Sequence, residues 1–394
     1  MTATLPNQSY RDDAPATPDE RAGATGREIA QQPAVWRRLA VDLAERRDSV
    51  RRFLEPLLSR DDLRIVLTGA GTSAFAGELL APALARALSR TIDAVATTAI
   101  VTNPREAFVE DVPTLLVSFA RSGDSPESVA ATELADRCLS SVYHLIVTCN
   151  AEGHLARTHS GSERSLVLLM PLESNDEGFA MTSSFTSMVL ATWLALVPSG
   201  LDSGVAERLA EAGAAMLRRT PDDVAKLAAR GYDRVVYLGS GSLAALARES
   251  ALKVLELTAG AVVSYSDSSL GFRHGPKSVI NDRTLAIVYL SNDPYVRLYD
   301  EDIIAELQAQ MGSENVVVVG ASRSEMLEPD GPWAVPNLSN DPDALVGLVF
   351  VLVAQLLAMN ASLELGLTPD TPSPDGQVNR VVKGVTVHPF EADR

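Results

Sequence analysis

The sequence predicts an α/β protein built as two tandem domains, each a parallel sheet flanked by helices in a three-layer arrangement. Three observations carry this. Near-continuous apolar runs of strand length alternate with helix-like stretches, as strands covered on both faces require. "RIVLTGAGTSA" (64–74) aligns without a gap to "RVVYLGSGSLA" (234–244), and internal repetition over so long an interval indicates a duplicated unit. The length of 394 residues exceeds one ordinary core and suits two domains of roughly 150 residues each.

In chain order, residues 1–26 are polar and Pro/Asp/Ala-rich, and are expected to be disordered. The first domain is placed at 27–215. It opens with a helix from Arg27 to about Leu58, with Pro33 in the first turn, where a missing N–H costs nothing. The strand-like runs "RIVLTGA", "DAVATTAIV", "TLLVSFA", "YHLIVTCN" and "SLVLLMPL" follow, with "SAFAGELLAPALARAL" and "PESVAATELADRC" among the helices between them. Helical stretches at 183–197 and 201–229 join the two copies. The second domain, 216–368, repeats the pattern with "RVVYLG", "TLAIVYLS" and "NVVVVGA". Residues 369–394 are Pro/Gly-rich and then extended, and are expected to form a tail lying over the active site.

With 46% hydrophobic and 22% charged residues, the chain is expected to be a soluble globular protein. A net charge of −17 with no basic stripe argues against a nucleic-acid partner, though not against a small phosphorylated substrate held by local amides and cations. Cys138 and Cys149 have no zinc-like cluster around them, so a thiol-reduced, cytoplasmic protein is expected, and no metal or other cofactor. The start "MTATLPNQSYRDDAP" lacks the pattern of a signal peptide. "ALVGLVFVLVA" (344–354) is membrane-like but too short for a span of about 20 apolar residues; a helix buried between domains or subunits is expected instead.

The glycine loop "GAGTSA" (69–74) after the first strand could hold a dinucleotide, hold a smaller phosphate or be a plain turn. A dinucleotide site wants an acidic residue at the end of the second strand, whereas Asp93 falls at the start of that run. Thr72 and Ser73 at the mouth of a helix suit a compact phosphate or sugar. A second loop, "FARSGDSPES" (119–128), presents Ser122, Gly123, Ser125 and Ser128 where another helix begins, although Ser125 and Ser128 would serve equally as helix caps. A third hydroxyl cluster, "AMTSSFTS" (180–187), opens a later helix. Hydroxyls and amides without a P-loop lysine point to a phosphate that is held and not transferred.

Together, "GAGTS", "ARSGDSPES" and "AMTSS", with "GSGS" in the second copy, resemble the tandem sugar isomerase (SIS) domain proteins, whose domains are flavodoxin-like. "EIAQQP" (28–33), "ALKVLE" (251–256), "RHGP" (273–276) and "VVKGVTV" (381–387) are similar to the isomerase half of glucosamine-6-phosphate synthase. "SFARSGDSPESVAA", "AMTSSFTSM" and "LELTAG…LGFRHGPKS" look closest to bacterial galactosamine-6-phosphate deaminase/isomerase, also described as tagatose-6-phosphate ketose/aldose isomerase. The synthase's glutaminase half begins with a nucleophilic cysteine, whereas Thr2 follows Met1 here, so any ammonia in the reaction is expected to be free.

The resemblance implies site residues. Lys253 and Glu256, at i and i+3 of a helical stretch, would be a surface ion pair in an arbitrary helix; by resemblance Glu256 is the proton-shuttling base and Lys253 an active-site lysine. His274 aligns with a histidine that aids ring opening and reaches the site from the neighbouring subunit, and Lys383 with a tail lysine covering the sugar. Thr72, Ser73, Ser122 and Ser125 would hold the phosphate, and Thr182 would touch the sugar. Ala120 and Arg121 stand where the synthase loop differs, exchanging a hydroxyl for a cation, and Arg121 joins the substrate-binding candidates. His144, His154, His159 and His388 match no motif. The implied activity is conversion of galactosamine 6-phosphate to tagatose 6-phosphate and ammonia by a homodimer or larger assembly with shared sites. Plain aldose–ketose isomerisation of a phosphorylated hexose, or a non-catalytic sugar-phosphate sensor, are the alternatives.

Overall fold

A computed structural model of the chain describes residues 20–373 and 384–391. The leading helical run is two helices, Gly23–Glu45 and Arg47–Leu58, separated at Arg46, whose φ of −97° and ψ of 7° leave the helical region. Pro33 lies inside the first helix rather than in its first turn. A proline there leaves the carbonyl of Ile29 without its helical donor, and Gln32 Nε2 donates to it at 3.3 Å. Of the segment expected to be disordered, residues 20–26 are ordered and helical. Asp370 fixes this start by accepting the N–H groups of Ala24 and Thr25, each at 2.8 Å. Residues 1–19 lie outside the described residues.

The first sheet comprises β1 (Arg64–Thr68), β2 (Ile92–Ala94), β3 (Thr114–Ala120), β4 (Val142–Thr148) and β5 (Ser165–Leu169), all parallel in the order β2-β1-β3-β4-β5. The second comprises β6 (Arg234–Gly239), β7 (Val263–Asp267), β8 (Thr284–Leu290) and β9 (Val316–Gly320), parallel in the order β7-β6-β8-β9. The α/β, parallel-sheet architecture is therefore the observed one. The interval from Thr114 to Thr284, which open β3 and β8, equals that from Arg64 to Arg234, which open β1 and β6. The repeat thus runs well beyond the aligned motif. β7 was not anticipated because "VSYSD" is a half-exposed, polar edge strand without an apolar run. The run "DAVATTAIV" is corrected in turn. Only Ile92–Ala94 is strand, and Thr97–Thr102 is helical, started where the Thr97 N–H donates to Gly69 O at 2.8 Å. The stretch 201–229 divides into Val205–Arg219 and Pro221–Ala229, with Pro221 opening the second helix.

The helices that follow the two glycine loops, Thr72–Leu88 and Ser242–Leu257, face each other across the domain boundary and run antiparallel. Glu78 and Arg248, equivalent positions of the two copies, pair at 2.7 Å near the centre of this contact. The pair thus sits on the pseudo-two-fold relation between the halves. Asp343–Glu364 is long and apolar enough to cross a membrane by length, with mean hydropathy 2.2, but 89% of that window is buried inside the protein. It packs against Ser242–Leu257, Pro221–Ala229, Val205–Arg219 and Gly23–Glu45. The Oε1 of its buried Gln355 accepts from Gln32 at 2.7 Å, and Gln32 in turn accepts from Thr186 at 2.7 Å, so this amide oxygen is partnered deep in the core.

Candidate active site

The site is built at the carboxyl ends of β1 and β3, where the strand order reverses and a parallel sheet leaves a crevice. Gly71, with φ 56° and ψ −127°, turns the chain out of β1 into the helix that begins at Thr72; a side chain would strain that backbone. Thr72 and Ser73 are buried at this helix start, and the Ser73 hydroxyl meets the Met181 sulfur at 3.9 Å. The neighbouring loop, 121–125, is backed by the loop after β4: Asn150 Nδ2 donates to Ser122 O at 2.9 Å and Leu155 N to Gly123 O at 3.1 Å. Gly153 is required there, since a Cβ would lie 2.3 Å from Ser122 O. Ser125 stands at the N-cap of Pro126–Cys138, yet its side chain makes no capping bond. The bland explanation of that hydroxyl is thereby removed.

The Ser122 hydroxyl accepts from Asp124 N at 3.3 Å, and Arg121 and Thr182 are tied into the fold more extensively. Arg121 is buried and donates through Nη1 to the carbonyls of Phe179 at 3.2 Å and Gly178 at 3.5 Å, fastening the loop to the segment before the third hydroxyl cluster. Thr182 is fully buried; its N–H and hydroxyl donate to Asp176 at 2.7 and 3.0 Å, and the N–H groups of Ser183 and Ser184 do the same at 3.0 and 2.9 Å. A helix N-terminus rich in hydroxyls attracts an anion, and here the anion is the protein's own Asp176. The geometry gives Thr182 a part in closing this helix start.

Across the domain boundary, the antiparallel packing lays Lys253 against the first glycine loop. Its Nζ donates to Thr72 Oγ1 at 2.9 Å and lies 2.6 Å from Glu256 Oε2 and 3.3 Å from Glu249 Oε1. Lys253 and Glu249 are completely buried, while the Glu256 side chain keeps 24% of its surface exposed. Burial alone would push the Lys253 pKa down, but the Glu249 and Glu256 carboxylates outweigh it and the net direction is up. Burial pushes Glu249 up to about 7, with Lys253 pulling it down and Glu256 pushing it further up. Of the three groups in this cluster, Glu256 alone keeps side-chain surface open to the outside. Glu249 is the member of this cluster that sequence reasoning missed. The i, i+4, i+7 spacing of Glu249, Lys253 and Glu256 in "ESALKVLE" was its available signal.

His274 is not brought to this cluster. It is exposed on the loop after β7, and its ring has no hydrogen bond or ion pair to any other described residue. Lys383 lies outside the described residues. The described part of the tail, 384–391, docks on the first domain, where Phe390 joins the cluster around Val95, Val101 and Cys138 and lies 5.4 Å beneath the Arg105 guanidinium. The His144 and His159 rings lie 4.5 Å apart, tilted by 47°, near the opposite end of the first sheet, His144 bonded to Asp136 at 3.1 Å and His159 to Ser165 at 3.0 Å. Among the described residues, no group of three or more His, Cys, Asp or Glu is placed to hold a metal ion.

Residues 57–198 match the SIS domain family, and a hydroxyl-lined crevice at the switch point of a parallel sheet accords with that fold. A Streptomyces coelicolor protein with the provisional name D-galactosamine-6-phosphate deaminase AgaS is 56% identical, across 94% of this chain and 96% of its own length. An Escherichia coli D-galactosamine-6-phosphate deaminase AgaS is 44% identical, across 94% of this chain and 98% of its own. The crystal structure of tagatose-6-phosphate ketose/aldose isomerase from Escherichia coli superposes with a TM-score of 0.88 at 41% identity, covering 97% of this chain and all of that one. The chain belongs to the AgaS family of SIS-domain D-galactosamine-6-phosphate deaminases.

Proposed function

We propose that the chain converts D-galactosamine 6-phosphate and water to D-tagatose 6-phosphate and ammonia. The observation that carries the chemistry is the seating of the Lys253–Glu256 pair on Thr72, at the edge of the hydroxyl cradle. The relatives named for this activity supply the substrate class. Ser73, Ser122 and Ser125, with the amides of two helix starts, hold the phosphate, and Thr72 links the cradle to Lys253. With the sugar open, Glu256 takes the C2 proton to give a 2-amino-enol and returns it to C1 to give a ketimine at C2, whose nitrogen water displaces as ammonia, leaving the ketose. Lys253 stabilises the charge that gathers on the enol oxygen.

His274 serves as the acid/base of ring opening, since an imidazole exchanges protons more readily near neutral pH than other side chains do. Its exposure and its lack of any hydrogen bond or ion pair with the Lys253 cluster fit delivery to the site of a second copy, so the active unit is read as a homodimer or larger. Refolding an equal mixture of Glu256→Gln and His274→Ala chains should then recover roughly a quarter of wild-type activity from two nearly dead parents, whereas sites built within single chains would stay inactive.

The deciding measurement is ammonia and ketose release over a panel of phosphorylated and free sugars. Galactosamine 6-phosphate should give the two products in equal amounts, and free galactosamine almost none. The second reading, isomerisation without deamination, draws on the name of the superposed isomerase structure. It would prevail if a phosphorylated hexose were isomerised while no amino sugar released ammonia.

A further inference from the structure

The loop that carries His274 meets the helix Pro294–Met311 at three points. At its base, the fully buried Ser269 donates its hydroxyl to Asp300 Oδ1 at 2.5 Å. In its middle, Phe272 is completely buried in a cluster to which that helix gives Ile303, Ile304 and Leu307 and the second sheet gives Val236, Leu238, Ala286 and Val288. On either side of His274, Arg273 and Lys277 both pair with Glu306, the former at 2.8 Å. Asp300, Ile303, Ile304 and Leu307 follow the spacing of one helix face, and Glu306 stands beside that face. Between the two clamped cations the backbone turns sharply, with Gly275 at φ 120°, a value that side chains rarely adopt. His274 sits at the apex, its ring making no hydrogen bond or ion pair to the described residues.

Surface ion pairs contribute little to stability, so a carboxylate devoted to two cations flanking one exposed histidine calls for another explanation. We propose that Pro294–Met311 positions His274 for the reaction, with Glu306 as the positioning residue that sets the direction of the loop apex through Arg273 and Lys277. The inference rests on the assignment of His274 to ring opening. Glu306 touches no reacting atom. It acts by limiting the orientations the imidazole samples, and misplacement of a catalytic group by about 1 Å is enough to cost up to about 10²-fold in rate.

The test compares Glu306→Gln, Glu306→Asp, His274→Ala and the double variant Glu306→Gln/His274→Ala with wild type, using steady-state kinetics on galactosamine 6-phosphate. Glu306 is 37% exposed, and unchanged melting would show that its variants fold. Glu306→Gln should lower kcat roughly 10-fold with KM within about twofold, because the phosphate cradle lies on the other domain. Glu306→Asp should recover part of the loss. The Arg273→Gln/Lys277→Gln variant, removing the clamp from the loop side, should reproduce it. In the His274→Ala background the Glu306 change should have no further effect, since nothing remains to be positioned. Wild-type kcat in Glu306→Gln, or a full additional loss in the double variant, would overturn the positioning role. Wild-type turnover in His274→Ala would instead sink the reading of His274, and the clamp would fall with it, a result told apart by the single variant alone.

Discussion

Gly71 and Gly241 hold φ/ψ of 56°/−127° and 57°/−127°, and each launches a helix at a hydroxyl, Thr72 in the first domain and Ser242 in the second. What fills the two turns differs. In the second domain the buried Asp300 takes the hydroxyl protons of Ser240 at 2.6 Å and Ser269 at 2.5 Å and the N–H of Ser291 at 3.1 Å, so a carboxylate from within the chain gathers the ends of β6, β7 and β8. Asp293 caps the next helix through the N–H groups of Tyr295 and Val296. In the first domain the residue the same distance past the helix-opening proline is Thr132, whose hydroxyl donates to Val129 O at 2.8 Å, and Ser125 caps nothing. A duplicated scaffold kept its backbone in both copies, but a carboxylate gathers the loops at the strand ends of the second copy, whereas among the described residues no such carboxylate bonds Ser73 or Ser125 of the first. The facing helices diverged in the complementary sense. In the register that aligns Arg64 with Arg234, Glu249, Lys253 and Glu256 correspond to Leu79, Ala83 and Arg86. One composite site results, with the cradle from the first domain and the ionisable groups from the second.

The largest effect should come from breaking the chemical half of that site. Glu256→Gln is expected to lower turnover by about 10²–10⁴, the usual worth of a positioned base, with substrate binding changed by no more than a few-fold. Arg86→Gln, at the matching place in the other repeat, should leave turnover at the wild-type level. Near-normal turnover in Glu256→Gln would remove this carboxylate from the mechanism and make its bond to Lys253 purely structural.

Emptying the self-filled cradle should cost stability rather than affinity. Asp300→Ala orphans the donors of Ser240, Ser269 and Ser291 and is expected to lower unfolding free energy by roughly 3 kcal/mol, while Thr132→Val in the first domain costs no more than about 1 kcal/mol. Urea unfolding of both variants measures this. Equal losses would mean that the carboxylate is incidental to the second cradle.

A pH series addresses the buried triad. Glu249 has its pKa raised from 4.5 to about 7, so the folded state binds this proton more tightly than the unfolded chain. Its contribution to stability is therefore present at low pH, declines as pH rises from about 4.5 to about 7 and is constant above that. Glu249→Gln should abolish that decline, up to about 3 kcal/mol in the difference between the two unfolding curves. A pH-independent difference would mean that Glu249 is ionised throughout.

The smallest expected change concerns the open cradle itself. Ser73→Ala and Ser122→Ala should each raise KM for the phosphorylated sugar by about 10- to 100-fold, the worth of a hydrogen bond to a charged group, and leave kcat nearly unchanged. Ser242→Ala, in the filled copy, should alter KM by less than about twofold. A Ser242 effect as large as that of Ser73 would place substrate in both domains and end the distinction between them.

The parallel-sheet halves, their repeat, the two hydroxyl loops and the helical placement of Lys253 and Glu256 were all legible before folding, because each is encoded within a few consecutive residues: apolar runs, glycines where φ is positive, side chains one helical turn apart. What those loops hold was not legible. "AMTSS" and "GSGS" look as ready for an anion as "GAGTS", but Asp176 and Asp300 reach two of these positions, and a carboxylate arriving from another element leaves no local trace. Nor could spacing alone show that Glu249 shares a proton-bearing cluster with Lys253, or that the cluster leans on Thr72 in the other half of the chain. Short-range order follows from sterics and hydrogen bonds between neighbours in the chain. Which donors are already satisfied, and which remain for a substrate, is settled only when distant elements pack and exclude water.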